Sequence, residues 1–388
     1  MSIMPKINRQ NRQKHVAILL ETSNEYARGV LNGAKKFLRE NTRWSVLLRL
    51  QERDNVDLTG LSNWEGDGIF ARIESKEMAD FVKMKNIPTV DLGAFRMLEN
   101  VPRFEVNDRS FAKLAAEHLI SKGFKYFGFC GNSKYIWSNR RYEAFNELTT
   151  SAGECFFFDI HAHKEQSLEE RVAIEEWLKI LPKPIGILAC YDRIGLQLLE
   201  ACRDAKIAVP ESVAVLGIDN DELICEISTP ALTSVIPNTI KTGYEAASLL
   251  DRMMNGEVIT KYEYLHEPLG IQVRQSTDVF VTNDEVIAKA LHFIRNNACS
   301  GISVSDVIAT TPLSRRAFEK RFFKIARKTP HAEILEVKMN FVKRLLEETE
   351  LSLEEIANRS GFAHPEYLSV AFKREISVTP SEYRKFSR

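Results

Sequence analysis

From His15 onward, continuous apolar runs of strand length alternate with stretches whose apolar residues recur at helical spacing. The first set is HVAILL, a helix through YARGVLNGAKKFLRE, then WSVLLRL, DGIFARI after a loop, and IPTVDLG. A second set follows: a helix through FAKLAAEHLISKG, the strand KYFGFCG, a helix around RRYEAFNELTTSAG, the strand CFFFDI, a helix through EERVAIEEWLKIL, the strand IGILAC, a helix through GLQLLEACRDA and the strand VAVLGID. Gly123 stands where a left-handed helix cap is expected, just before the aromatic-rich strand. This rhythm predicts an α/β fold of two consecutive parallel-sheet lobes. A cleft between them, at the carboxyl ends of the strands, is where a ligand is expected.

After about Asp278 the strand-like runs cease, and helices separated by Pro- and Ser-bearing turns take over. A boundary is expected near VFVTND, giving a basic tail over 1–14, a two-lobed domain over 15–280 and an all-α domain over 281–388. In the stretch from Leu351 to Arg384, Leu353, Ile356 and Ala357 form one apolar face and Gly361 allows a tight turn. Phe362, Leu368 and Phe372 supply the next anchors, which leaves Glu366, Ser369, Val370 and Lys373 facing outward. An earlier stretch repeats this plan, with Ser314 as a helix N-cap and Phe318 and Phe322 as buried anchors. Its outward residues are Arg315, Arg316, Glu319 and Lys320. The helix HAEILEVKMNFVKRLLEE, with Leu335, Met339, Val342 and Leu346 on one face, is expected to set the spacing of the two units.

Composition adds a class and little more. Of 388 residues, 44% are hydrophobic and 27% charged, as in ordinary globular proteins. The net charge of +0 is segregated: residues 283–388 hold 18 Lys and Arg against 14 Asp and Glu, leaving +4 there and −4 elsewhere. Such a small excess implies that any contact with a polyanion is made by local patches. Cys130, Cys155, Cys190, Cys202, Cys225 and Cys299 have no CxxC spacing and read as reduced thiols of a cytoplasmic protein. The amino terminus lacks an apolar stretch of signal or membrane-spanning length, so export and membrane insertion are not expected. His161 and His163 lack Cys or carboxylate partners at metal spacing, and no GxSxG elbow, Walker loop or GxGxxG is present. No catalytic residue, metal or cofactor is therefore expected.

The helical tail resembles the double helix-turn-helix domain of AraC-type regulators. The likeness includes the ending formed by Phe372, Lys373, Thr379, Pro380, Glu382, Tyr383 and Arg384. It implies that Arg316, Glu319 and Lys320 read bases, Arg or Lys suiting guanine and the carboxylate accepting from cytosine. Arg327 and Ser377 stand where that family usually has Gly, so their turns must adopt positive φ or close differently. Val370 replaces a common polar contact, which implies that the second reader reads fewer bases.

The segment from His15 to about Phe280 resembles the sugar-binding domains of LacI-type repressors, which share the periplasmic-binding-protein fold. YARGVLNGAKKFL, AAEHLISKGFKYFGFCG, RRYEAF, VAVLGIDND and STPALTSVIPN carry the likeness. It puts Arg141 and Asp219 at sugar-contact positions, followed by Tyr191 and Asp192, where Tyr191 replaces an Asn. Glu21, Ser23, Tyr26 and Arg72 are weaker candidates, and Trp137 is placed to stack on a sugar. Together the two resemblances imply a sugar-responsive transcription activator, not an enzyme. Its expected partners are operator DNA, a sugar effector for which xylose is favoured, RNA polymerase and a second copy of the chain through YARGVLNGAKKFL. The alternatives are the same architecture with another sugar, a sugar-processing enzyme with a helical appendage, and a sugar receptor that binds no DNA.

Overall fold

The computed structural model describes residues 13–41, 44–51, 58, 60–162, 167–279, 281 and 284–386. Nearly all of the basic tail, His163, and Phe280, Thr282 and Asn283 at the expected boundary lie outside them. The chain divides into two compact units, Met1–Asp278 and Val279–Arg388.

The strands of the first unit, in chain order, are β1 (Lys14–Glu21), β2 (Trp44–Gln51), β3 (Gly68–Ala71), β4 (Thr89–Asp91), β5 (Arg103–Val106) and β6 (Tyr126–Gly131). After these come β7 (Glu154–Asp159), β8 (Ile185–Ala189), β9 (Val213–Ile218), β10 (Thr233–Ile236), β11 (Glu263–His266) and β12 (Gly270–Gln272). They form two six-stranded sheets, ordered β11-β5-β4-β3-β1-β2 and β12-β10-β9-β8-β6-β7. Pairing is parallel throughout, apart from β12 against β10. Between the strands lie α1 (Glu25–Glu40), α2 (Lys76–Lys85), α3 (Asp108–Ser121), α4 (Ile136–Thr149), α5 (Leu168–Ile180), α6 (Asp192–Asp204), α7 (Glu222–Ile227) and α8 (Thr239–Met254).

β1 shows why an apolar run without alternation becomes a central strand. Val16, Ile18 and Leu20 join the core beneath α1 and α8, while Ala17 and Leu19 join the core on the opposite face with Met78 and Phe81 of α2. A strand covered on both faces has no polar side. The helices α1 and α8 pack so closely that a Cβ on Gly33 or Gly243 would overlap the carbonyl oxygen of Ile240 or Val30 respectively.

That contact corrects the expectation of two consecutive lobes. Helix α8 and strand β11 come late in the chain yet complete the first sheet, so the chain crosses between lobes three times. The crossings fall at Val106–Asp108, Ile236–Thr239 and His266–Gly270. Helix α2, between β3 and β4, is an element the apolar pattern left unassigned. Periodicity identifies an element; it carries no information about which sheet edge the element joins.

The second unit is helical: α9 (Glu285–Asn297), α10 (Val304–Ala309), α11 (Arg315–Ala326), α12 (Pro330–Glu348), α13 (Leu353–Arg359), α14 (Pro365–Ile376) and α15 (Pro380–Phe386). Helices α10 and α13 each begin with a capping box, Ser303 with Asp306 and Ser352 with Glu355. Ser314 caps α11 by accepting from the Ala317 N–H. Phe318 and Phe322 are fully buried with Ile287, Ile294 and Ile334 in one small core. Leu368 and Phe372 are fully buried in a second, against Met339, Val342 and Leu346 of α12. Gly123, at φ 90°, follows the last turn of α3 as expected. Arg327 and Ser377 close their helices in the left-handed region, at φ 59° and 69°, without glycine.

Gly361, at φ 69°, carries a second constraint: a Cβ there would sit 2.7 Å from both the Cys299 carbonyl oxygen and the Gly301 nitrogen. Gly301, at φ 81°, has no atom within 3.9 Å of its own added Cβ. Both changes to Ala incur about 1 kcal/mol for the left-handed backbone. We expect Gly361→Ala to lose roughly 2 kcal/mol more than Gly301→Ala in denaturant unfolding, since backbone atoms must move. Equal losses would mean that the Cys299 segment yields freely.

Candidate functional site

A cleft opens between the two lobes, walled almost entirely by segments at or just beyond the carboxyl ends of strands. Asn24 and Tyr26 enter from the loop after β1 and the start of α1, Arg72 from the end of β3, and Leu92, Gly93 and Ala94 from the end of β4. Glu105 and Val106 come from the end of β5, Asp108 from the start of α3, Trp137 and Arg141 from α4, and Asp219 from the turn after β9.

Arg141 is 5% exposed and held from two sides. Its Nε donates to Asp108 Oδ1 at 2.9 Å and its Nη1 to the Cys190 carbonyl at 2.6 Å, while the guanidinium lies 4.8 Å from the Trp137 ring centre. Nη2 has no hydrogen-bond partner among the described residues, which leaves one face of the fork to the cleft. Burial pushes the Asp108 carboxyl above the usual carboxylate range, against the pull of Arg141. Trp137 is 6% exposed, with Tyr135 stacked on it at 5.2 Å and Tyr191 edge-on at 5.8 Å. Its ring is thus already engaged by protein groups, and its shielded indole N–H has no partner among the described residues.

The remaining candidates separate into lining and supporting groups. Tyr26 lines the cleft, and burial pushes its phenol up to about 12, so it stays a neutral donor. Arg72 lines the cleft with its Nε 2.8 Å from Glu74, and its Nη1 lies 3.9 Å from Glu21. Glu21 is buried at the end of β1 and accepts from Ser23 at 2.6 Å; neither residue lines the cleft. Asp219 lines it at φ 109°, a backbone conformation rare for a residue with a side chain. Asp192 and Tyr191 lie behind the wall. The Asp192 carboxylate, 1% exposed, accepts from Ser234 Oγ at 2.6 Å and from the Asp221 N–H at 2.7 Å. It therefore anchors the turn that presents Asp219.

Sequence patterns missed Asn24, Glu105, Asp108 and the Leu92–Ala94 backbone. Asp108 opens α3 directly after Asn107, which caps that helix through the Ser110 N–H; a cap placed on a lobe crossing was the available signal. Among the described residues, ion pairs span the lobes from Arg140 to Glu105 at 2.8 Å and from Arg28 to Asp221 at 3.7 Å.

In the second unit Arg315, Arg316 and Lys320 are exposed along α11, and Arg315 pairs with Glu319 at 3.0 Å. On α14, Glu366, Val370 and Lys373 are exposed, whereas the Ser369 hydroxyl donates back to the Pro365 carbonyl at 2.9 Å. Each α11 and α14 is thus the outward second helix of a helix-turn-helix, the element that enters a DNA groove.

Residues 15–106 match the XylR N-terminal domain, residues 116–277 the periplasmic binding protein-like domain, and residues 308–385 a helix-turn-helix domain. The xylose operon regulatory protein of Haemophilus influenzae is 32% identical, over 95% of this chain and 97% of its own length. The chain belongs to the xylose operon regulator family. A second member, from Escherichia coli K12, is 31% identical over 96% of this chain and 97% of its own. The solved structure of the xylose-binding transcription activator xylR aligns at a TM-score of 0.79 and 29% identity, covering 97% of this chain and 99% of that one. As a xylose operon regulator the chain is a sugar-responsive transcription regulator with an AraC-type DNA-binding domain, and not an enzyme. No described helix is long and apolar enough to cross a membrane.

One buried acid beside the Leu92–Ala94 segment of the cleft wall gives this family member a pH signature. Asp91, 2% exposed, accepts from the Ile73 N–H at 2.9 Å and the Gly93 N–H at 2.7 Å, and burial pushes its carboxyl up to about 7. The folded state thus holds this proton where the unfolded chain releases it, so its contribution is present below about pH 4 and is lost as pH rises to about 7. Stability of wild type minus that of Asp91→Asn should fall across this window, by up to roughly 4 kcal/mol. A flat difference in pH-dependent unfolding would reject the assignment.

Proposed function

We propose that this regulator binds xylose in the interlobe cleft and activates a sugar-catabolic operon from operator DNA in the cytoplasm. The observation that carries the ligand reading is the pairing of a half-used guanidinium, Arg141, with the orphaned indole N–H of Trp137 in one wall. Adjacent sugar hydroxyls present the oxygen acceptors that both groups need, and Asp219 supplies an acceptor for hydroxyl protons. The names of the full-length relatives support xylose as the sugar.

Closure of the lobes on the ligand then shifts the population toward one arrangement. The interlobe pairs Arg140–Glu105 and Arg28–Asp221 favour the closed arrangement, because both shorten only when the lobes approach. The output requires a homodimer on paired half-sites and contact with RNA polymerase. The apolar face of α1 is buried, with Val30, Gly33 and Ala34 against α8 or the sheet, so contact between copies through α1 uses its polar face.

In a thermal-shift panel of pentoses and hexoses, xylose should raise the unfolding temperature, corresponding to about 2.7 kcal/mol at a hundredfold excess over its Kd. Stabilisation by a different sugar alone would replace xylose while keeping the cleft. Trp137→Phe removes the N–H donor together with part of the ring packed on Arg141 and Tyr135, and should weaken xylose binding about five- to tenfold; unchanged affinity would remove the indole from the site. On DNA, Arg316→Ala should lose about 1 to 3 kcal/mol and relax base preference at one position. A variant with unaltered preference in competition binding would exclude Arg316 as a base reader.

A further inference from the structure

The two readers align at a spacing of fifty residues, so that Phe318 matches Leu368, Phe322 matches Phe372, Arg327 matches Ser377, and Thr329-Pro330 match Thr379-Pro380. The structure gives each pair the same role. The four core residues are fully buried, Arg327 and Ser377 are both left-handed, and the Thr-Pro pairs both open the following helix. Under that alignment Glu366 occupies the place of Arg316, Ser369 that of Glu319, and Val370 that of Lys320.

The outward chemistry of the two helices is therefore opposite. Helix α11 presents cationic donors, Arg316 and Lys320, which suit the acceptor edge of guanine. Helix α14 presents no donor at those places: Glu366 only accepts, Ser369 has its hydroxyl proton on Pro365, and Val370 is apolar. Val370 is nonetheless 67% exposed, and Tyr367 beside it is 55% exposed with its ring 6.0 Å from Phe362. One turn further on, Lys373 is exposed and has no ion-pair partner among the described residues, so the apolar patch borders a free cation. An apolar contact point on a base-reading position, with a cation beside it, suits a thymine methyl in the major groove next to a backbone phosphate.

We propose that α14 reads a thymine through contact of Val370 with the base's C5 methyl, making each half-site chemically asymmetric: guanine under α11, thymine under α14. This deepens the reading of the second unit as DNA-binding and rests on it. It also replaces the expectation that α14 merely reads fewer bases.

The test uses the full chain with xylose. Duplexes that it binds are selected from a random library, and each thymine of the recovered site is then replaced singly by deoxyuridine, which removes only the methyl. One replacement should weaken binding about fourfold in fluorescence anisotropy, the effect of withdrawing one buried methyl. Val370→Ala should lose that sensitivity and Lys320→Ala should keep it. Recovery of a site at which every deoxyuridine is neutral overturns the proposal while leaving DNA binding intact. So does a Val370→Ala protein with undiminished sensitivity, or one that binds DNA normally but fails to activate transcription, which would assign the patch to a protein partner. Recovery of no duplex overturns the DNA-binding reading and this proposal with it.

Discussion

A guanidinium that is 5% exposed stays charged only if its surroundings replace the water it has lost, and the placement of Arg141 is the condition that the cleft is built around. Its partners come from separate parts of the chain. Asp108 begins α3 at the first lobe crossing, the Cys190 carbonyl ends the segment after β8, and Trp137 lies one turn earlier on α4. Binding them together joins these segments in the second lobe's wall and leaves the Nη2 amino group for the cleft. Removing either acceptor would leave a buried charge short of a partner, so the ligand site and the stability of the hinge share the same atoms.

Most strands and helices of the first unit were legible in the sequence because each long buried strand is an unbroken apolar run and each long helix has one apolar face. Helices α2, α7 and α8 and strands β5, β10, β11 and β12 were not. KEMADFVKMK has a short apolar stripe diluted by charge, and EYLH is a four-residue edge strand with alternating exposure. In the cleft, Arg141, Asp219, Tyr26, Arg72 and Trp137 were visible because each follows a recognisable strand or lies in a recognisable pattern. Glu105 and Asp108 were not, since their importance comes from Arg140 and Arg141, more than thirty residues distant. Asp192 was equally visible as a pattern, but only the fold shows that its carboxylate faces Ser234 and the Asp221 amide.

The second unit was more legible because its constraints are local. Caps, left-handed turns and i, i+4 anchors are set within a dozen residues, and the duplication states each rule twice. Where the copies agree, at the buried aromatics, caps and turn residues, the shared feature is what the motif needs to fold. Where they differ, at Arg316 and Glu366 or Lys320 and Val370, the residues are exposed and the fold is indifferent to them. Selection at those positions acts through whatever the helices touch.

The late return of α8 to the first sheet has a consequence for how the protein comes into being. As the chain leaves the ribosome, β1 to β5 and α1 emerge long before the helix that covers Val30 and Gly33. At typical elongation rates that interval is on the order of ten seconds. Throughout it the nascent first lobe shows a naked glycine-lined seam, while β6 to β10 are already available to collapse on one another. The lobe that begins the polypeptide is therefore completed only after most of the other lobe has been made, and the period of greatest vulnerability to misassociation falls in the middle of synthesis.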